Sequence, residues 1–244
     1  MHQLVMFSDP WLYAMMAVLI FFAAFMQGLG GVGFAMFAAP IAAIFFPQMV
    51  PGTLLTLGGF VSLLTALRER HDTLWPTAGA ALAGRAIGTL IAVFVLAQLA
   101  HKSVNLLFAA LILIAVVLSV AGLRIATTPR NITLAGIVSG IMGTLTSVGS
   151  PPLVIALQHT PPPNLRATLG VTLFCGSAFS LIMLSFTGHY TLEQLLLSVT
   201  LAPFMFLGFS LSSQIHQKVS PAAIRKLLLT FCATSAVGLI LKTL

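Results

Sequence analysis

Acidic side chains are nearly missing from this chain. Asp9, Glu69, Asp72 and Glu193 are the only four in 244 residues, and all lie in or beside short breaks between apolar runs. With 11 Lys and Arg the charged fraction reaches 6%, where a soluble domain needs about a quarter. So few charges cannot clothe a 25.7 kDa globule, and lipid must be the solvent for most of the surface. Cysteine is equally scarce. Cys175 and Cys232 sit inside apolar runs without a partner at metal-like or redox-like spacing, so both read as packing residues. No His-Glu-x-x-His, no Gly-x-Ser-x-Gly and no Walker loop occurs. No catalytic residue, metal or cofactor is therefore expected. The net charge of +7 comes from scattered basic residues with no aromatic-basic stripe. That pattern argues against nucleic acid and suits loops facing an anionic leaflet. Residues 1–10 lack the basic start of a cleavable signal peptide, so the first apolar run is expected to be retained.

Hydrophobic residues are abundant, at 59%, with a mean hydropathy of +1.08. Apolar runs bounded by Pro, Gly or charge predict segments over 12–27, 33–46, 52–67, 76–97 and 103–122. A polar joint holding Arg124 and Arg130 follows, then segments over 131–145, 150–159, 165–187, 192–213 and 221–242. The runs 12–46 and 131–159 are interrupted by Gln27-Gly28-Leu29-Gly30-Gly31-Val32-Gly33 and by Gly143 to Pro152. Both stretches are poor material for continuous helix. Charge decides how they run. If each broken run crosses once, the basic residues divide evenly between the two sides. If each enters and returns, Arg68, Arg70, Arg124, Arg130, Arg166, Lys218, Arg225 and Lys226 share a side, against Lys102 and Lys242. The second pattern obeys the positive-inside rule, so both runs are expected to be hairpins with the termini away from the cytoplasm. Trp11, Tyr13, Trp75 and Tyr190 all fall at segment ends, at headgroup level.

A shift of 112 residues pairs Gly28 with Gly140, Gly31 with Gly143, Pro40 with Pro152, and Thr56-Leu57-Gly58 with Thr168-Leu169-Gly170. Later the offset grows to about 120, pairing Gly88 with Gly208. The halves, 1–123 and 124–244, read as repeats within one integral membrane domain. Five elements per half, an odd number, turn the second copy upside down. The predicted fold is an all-α integral membrane protein of two inverted repeats of about five membrane elements, each opening with a Gly/Pro-broken helical hairpin. In such architectures the binding site lies near the midplane, at the discontinuous helices.

Broken tips expose unpaired amides, and Ser or Thr hydroxyls add donors. Gln27, Gly28, Gly30, Gly31 and Gly33 at one tip, and Thr144, Thr146, Ser147, Gly149 and Ser150 at the other, are the candidate substrate-binding residues. Pro40, Pro151 and Pro152 are candidate structural hinges. The same glycines also suit close helix packing. Arg85 lies about ten residues into segment 76–97, roughly 15 Å deep. With no acidic partner at that depth, it answers to backbone carbonyls, water or an anionic ligand. The lack of a mid-membrane carboxylate argues against cation carriage. Proton coupling would need a His or the substrate itself, and His101, His159, His189 and His216 all lie near loops.

The stretches Gln27 to Ile41 and Gly140 to Leu153, two Gly-rich breaks each leading into Pro and an apolar run, resemble the sulfite exporter (TauE/SafE) family. The length, the duplication and the start of the segment holding Arg166 are similar too. Met142, Thr144 and Leu145 stand where the first copy has Gly30, Val32 and Gly33, so the two tips are expected to contribute differently. The resemblance implies a bacterial inner-membrane transporter for sulfite, sulfoacetate or a related sulfonate, commonly an exporter. The expected function is therefore secondary transport of a small anion by alternating access. A passive anion channel and a non-transporting membrane assembly factor are the alternatives. The expected partners are a small anionic substrate and the lipid bilayer, with no nucleic acid; a homo-oligomer is compatible with the sequence.

Overall fold

In lipid the backbone must satisfy its own N–H and C=O groups, and these Ala-, Leu- and Gly-rich runs do so as helix. The computed structural model describes residues 9–98, 107, 110, 111, 113–115, 117, 118 and 125–215. Segment 221–242 and most of 103–122 lie outside them, together with His101, Lys102, Arg124, His216, Lys218, Arg225, Lys226, Cys232 and Lys242. The longer described helices are α1 Pro10–Gly30, α2 Phe34–Phe45, α3 Gly52–Arg68 and α4 Trp75–Gln98. They are followed by α5 Pro129–Thr146, α6 Ser150–Ala156, α7 Pro162–Phe186 and α8 Leu192–Ile215. Each starts and stops within a few residues of an expected segment, and no strand occurs among the described residues. Four are long and apolar enough to cross a bilayer: α1, α4, α7 and Leu192–Gln214 of α8. The protein is thus a multi-pass membrane protein.

The interruptions are narrower than expected. α1 continues through Gly28 to Gly30, and only 31–33 leave the helix. α5 likewise keeps Gly143, Thr144 and Thr146 helical and yields at Ser147 to Gly149. Gly28 stays helical because its bare Cα lies against Ser212 and Phe209 of α8, where close packing replaces a side chain. Gly31 and Ser147 are the left-handed helix caps, 116 residues apart. The 112-residue register therefore slips by one turn at the breaks. Pro40 consequently sits inside α2, whereas Pro151 and Pro152 begin α6.

Both broken runs double back. Gln27 Oε1 accepts from Phe34 N across the first break, at 3.1 Å. At the far end of α2, Gln48 O accepts from Gln194 Nε2 at the head of α8, at 3.0 Å. In the second run Thr127 Oγ1 donates to Ala156 O at 3.0 Å, joining the end of α6 to the start of α5.

The remaining contacts pair off. α1 runs parallel to α8: Tyr13 Oη donates to Thr200 O, and Gly208 rests on Phe21 and Phe25. α4 runs parallel to α5 through Gly84 and Gly88 on one helix and Gly136 and Gly140 on the other. These are two small-xxx-small pairs, spaced to bring backbones into contact. Gly84 lies against Thr133 O and Ile137 N, and Gly88 against Ile137 O and Ile141 N, in the way that Gly208 lies against Phe21 O and Phe25 N. α3 and α7 cross antiparallel: Gly59 meets Ser177, Phe60 meets Phe174, and Gly170 meets Ala66.

The end of α3, the start of α4 and the start of α7 gather at one surface. There Arg166 Nε pairs with Glu69 at 2.8 Å and Asn164 Nδ2 donates to Asp72 O at 2.8 Å. Arg68 and Arg70 belong to the same surface, and Arg130 joins them at the start of α5. Trp11, Phe22, Phe94 and Phe186 are exposed, as a lipid-facing surface requires. Cys175 is exposed on α7 rather than packed inside; its neighbours Gly176 and Ser177 take the inward face of that turn.

Candidate functional site

Each break has a local cause. Gly31 has φ 77° and Gly33 φ 129°, conformations that L side chains avoid. At Gly31 the place of a Cβ is also taken by the Cγ and Cδ of Arg166. Ser147 adopts φ 66° with a side chain, an arrangement held by two bonds. Its N–H donates to Gly143 O at 2.9 Å and its hydroxyl to Pro51 O at 3.0 Å. A non-glycine residue in this region is strained and persists only when its surroundings fix it.

The two breaks reach one cavity of about 30 Å³. Gln27, Phe34 and Ala35 come from the first broken run, and Ser147, Gly149 and Ser150 from the second. α3 adds Leu54, Leu55, Gly58 and Ser62, and α7 adds Leu173 and Ser177. That volume holds one or two water-sized groups, so it fits a compact solute head. A larger opening of about 330 Å³ lies between α1 and α8, lined by Tyr13, Val18, Phe21, Phe22 and Phe204. Its lining suits a lipid chain and not a charged solute.

Polar atoms at the small cavity divide into spent and free. Gln27 Nε2 donates to Ser62 Oγ at 3.0 Å, which donates onward to Gly58 O. Ser147 Oγ has given its proton to Pro51 O. Ser150 and Ser177 line the same space, are each 7% exposed, and their hydroxyls have no partner among the described residues. Ala35 stands in the first turn of α2, where amides lack intrahelical acceptors.

Arg85 is 1% exposed and does not line the cavity; it lies behind Gly149. Its guanidinium occupies a seat walled by Gly143, Gly149 and Gly176. A Cβ on Gly149 would stand 2.8 Å from Nη1, one on Gly143 3.3 Å from Nη2, and one on Gly176 would overlap Nε. Nη1 donates to Ser139 Oγ at 2.7 Å, and Ser139 Oγ donates to Gly149 O at 2.5 Å. Nε is buried and has no partner among the described residues. The partner of Arg85 is thus a hydroxyl on the neighbouring helix, beyond the carbonyl, water and ligand options that sequence suggested.

Several expected site residues serve structure. Thr144 joins Thr89 and Ser180 in a hydroxyl triangle tying α4, α5 and α7, with distances of 3.0 and 2.8 Å from Thr144. Thr146 Oγ1 donates to Met142 O and accepts from Val148 N, which caps the break. Gly28 O accepts from Arg68 Nη2 at 3.1 Å, and the Arg68 guanidinium lies 5.2 Å over the Phe209 ring. Gly30 ends α1, and Gly31 and Gly33 shape the turn without lining the cavity. Ser139 and Ser177 escaped sequence reasoning. The signal for Ser139 was its place inside Gly136-x-x-x-Gly140, the spacing that brings α5 against Arg85; nothing in the sequence singled out Ser177.

A family model described as "Sulfite exporter TauE/SafE" matches residues 16–239. No curated protein and no solved structure matches the chain.

Proposed function

The chain belongs to the sulfite exporter TauE/SafE family, and on that premise we propose that it is a secondary transporter of a small sulfur-containing anion. Sulfite, sulfoacetate or a related sulfonate is carried, in the export direction, by alternating access between two inverted halves. One observation carries the reading: two helix breaks, far apart in sequence, line one small cavity. The inverted arrangement is supported by the exchange of partners, α1 with α8 and α4 with α5, and by the antiparallel crossing of α3 and α7. The surface holding Arg68, Arg70, Arg130 and Arg166 is taken as cytoplasmic, which leaves both termini periplasmic.

In this reading Ser150 and Ser177 donate hydroxyl protons to the anion's oxygens. The second amide proton of Gln27 and the first turn of α2 complete the shell. Arg85 supplies positive potential from behind Gly149, where a unit charge acts with an energy on the order of a few kcal/mol at intermediate dielectric. Among the described residues no carboxylate lines the cavity to oppose an anion.

Purified protein in liposomes, offered sulfite, sulfate, sulfoacetate and a carboxylate control, tests the proposal. Saturable flux with counterflow is expected for sulfite or sulfoacetate. Ser150→Ala and Ser177→Ala should each raise KM about tenfold, the worth of one hydrogen bond to a charged group. Flux that never saturates would replace the carrier with a pore, and no anion flux under any gradient would leave only a scaffold.

A further inference from the structure

Positions 27 and 139 are 112 residues apart, each immediately before the first glycine of a repeat-matched pair, Gly28 and Gly140. Both side chains reach to the break that follows. Gln27 Oε1 takes the N–H of Phe34, and Ser139 Oγ gives its proton to the carbonyl of Gly149. The first therefore clamps its helix to the chain beyond the interruption, and the second to the interruption's last residue. The two clamps differ in what stands behind them. Gly140 faces Arg85 on α4, and Gly28 faces Phe209 on α8. The first clamp has the half-buried Arg68 beside it, bonded to Gly28 O, whereas the second is backed by Arg85, fully buried in its own seat.

We propose that Ser139 and Arg85 are paired positioning residues of the transport site: Arg85, through the Ser139 hydroxyl, locks Gly149 and so presents Ser147 and Ser150 to the cavity. The proposal rests on the transport reading above for its kinetic consequences. Its geometric basis is the continuous path from Arg85 Nη1 to Ser139 Oγ at 2.7 Å and on to Gly149 O at 2.5 Å. A hydroxyl that accepts from a cation becomes a stronger donor, so each bond tightens the other. The tip needs such a restraint. Ser147 holds a left-handed φ of 66°, and Gly149 lies between two helix ends with a backbone that glycine leaves loose. Arg85 is itself closely seated, with Gly143, Gly149 and Gly176 around its guanidinium. Its charge thus reaches the solute through a fixed tip and not by contact, consistent with its absence from the cavity lining.

Two measurements on proteoliposome-reconstituted protein decide the matter. Hydrogen exchange at amides 147–150 reads the tip whether or not any solute moves. Sulfite uptake, resolved into KM and kcat, reads the consequence for binding. Ser139→Ala should speed exchange at the tip and raise KM for sulfite, each about tenfold, with kcat within roughly twofold. Ser139→Thr, which keeps the hydroxyl, should restore both. Arg85→Ala should reproduce the faster exchange, and combining it with Ser139→Ala should add little. Should Ser139→Ala fail to accumulate, Ser139→Cys keeps the volume, weakens both bonds, and carries the same expectations at smaller size. Unchanged tip exchange in Ser139→Ala, or a fall in kcat at constant KM, overturns the proposal. If the unmodified protein moves no sulfite, the transport reading fails, and the exchange measurement still decides whether Ser139 and Arg85 hold the tip.

Discussion

Gly176→Ala puts the seat of Arg85 under direct stress. A Cβ at position 176 overlaps Nε of Arg85 and would stand 2.8 Å from Nη2. Gly149 and Gly143 stand close to the other guanidinium nitrogens, so the methyl group is expected to displace the guanidinium from Ser139. Overpacking of this kind costs about 1–3 kcal/mol. Loss of a charge-assisted hydrogen bond adds about 1.5–3 kcal/mol. Alanine in a helix returns about 1 kcal/mol of propensity. The net expectation is a destabilisation of about 1.5–5 kcal/mol, on the order of 3–20 °C in the Tm measured in detergent. Gly79→Ala on α4 is the control, because a Cβ there meets nothing within 4 Å. It should be neutral or slightly stabilising. The sharper measurement repeats Gly176→Ala in an Arg85→Ala background, where the clash is gone and only the propensity gain remains. The effect should then change sign. An equal loss of Tm in both backgrounds would refute the seat described for Arg85.

Gly84→Leu should abolish accumulation of folded protein. The new side chain would meet the backbone of Thr133, Ile137 and Gly136 on α5, and backbone cannot yield as a side chain does; a normal membrane yield with native Tm would contradict the α4–α5 contact. A fluorophore attached at Cys175, exposed on α7, should be quenched by nitroxide-labelled lipid and spared by iodide; the opposite result would turn that helix face toward water. Cysteine introduced at Arg70 should react from the cytoplasmic side and cysteine at Tyr190 from the other, and labelling of both from one side would overturn the assigned topology.

Much of the fold was legible because lipid simplifies the code. Where no water can satisfy a backbone, any long apolar run must be helix, so ends marked by Pro, Gly or charge gave α1 to α8 within a few residues. The two interruptions were visible as glycine and proline clusters, although not their exact limits. Gly28 and Thr144 read like break residues, yet both lie within helices because neighbouring helices reward continuity there: Gly28 packs on Ser212, and Thr144 bonds to Thr89 and Ser180. Sequence spacing cannot report what waits across the interface. Ser177 is the reverse case, an ordinary serine of a long helix that the crossing of α3 and α7 turns into the cavity.

Composition and run length determined by themselves that this chain lives in a membrane and is helical, and Arg85 without an acidic partner raised the expectation of an anion. Each follows from free energies of transfer, which depend on residue type and not on neighbours. Which hydroxyls stay free, which glycines make room for a guanidinium, and which serine links that charge to the tip were decided only when the helices packed. Hydrogen bonds and van der Waals contacts act over a few ångströms, and residues 85, 139, 149 and 176 come within that range only in the folded chain.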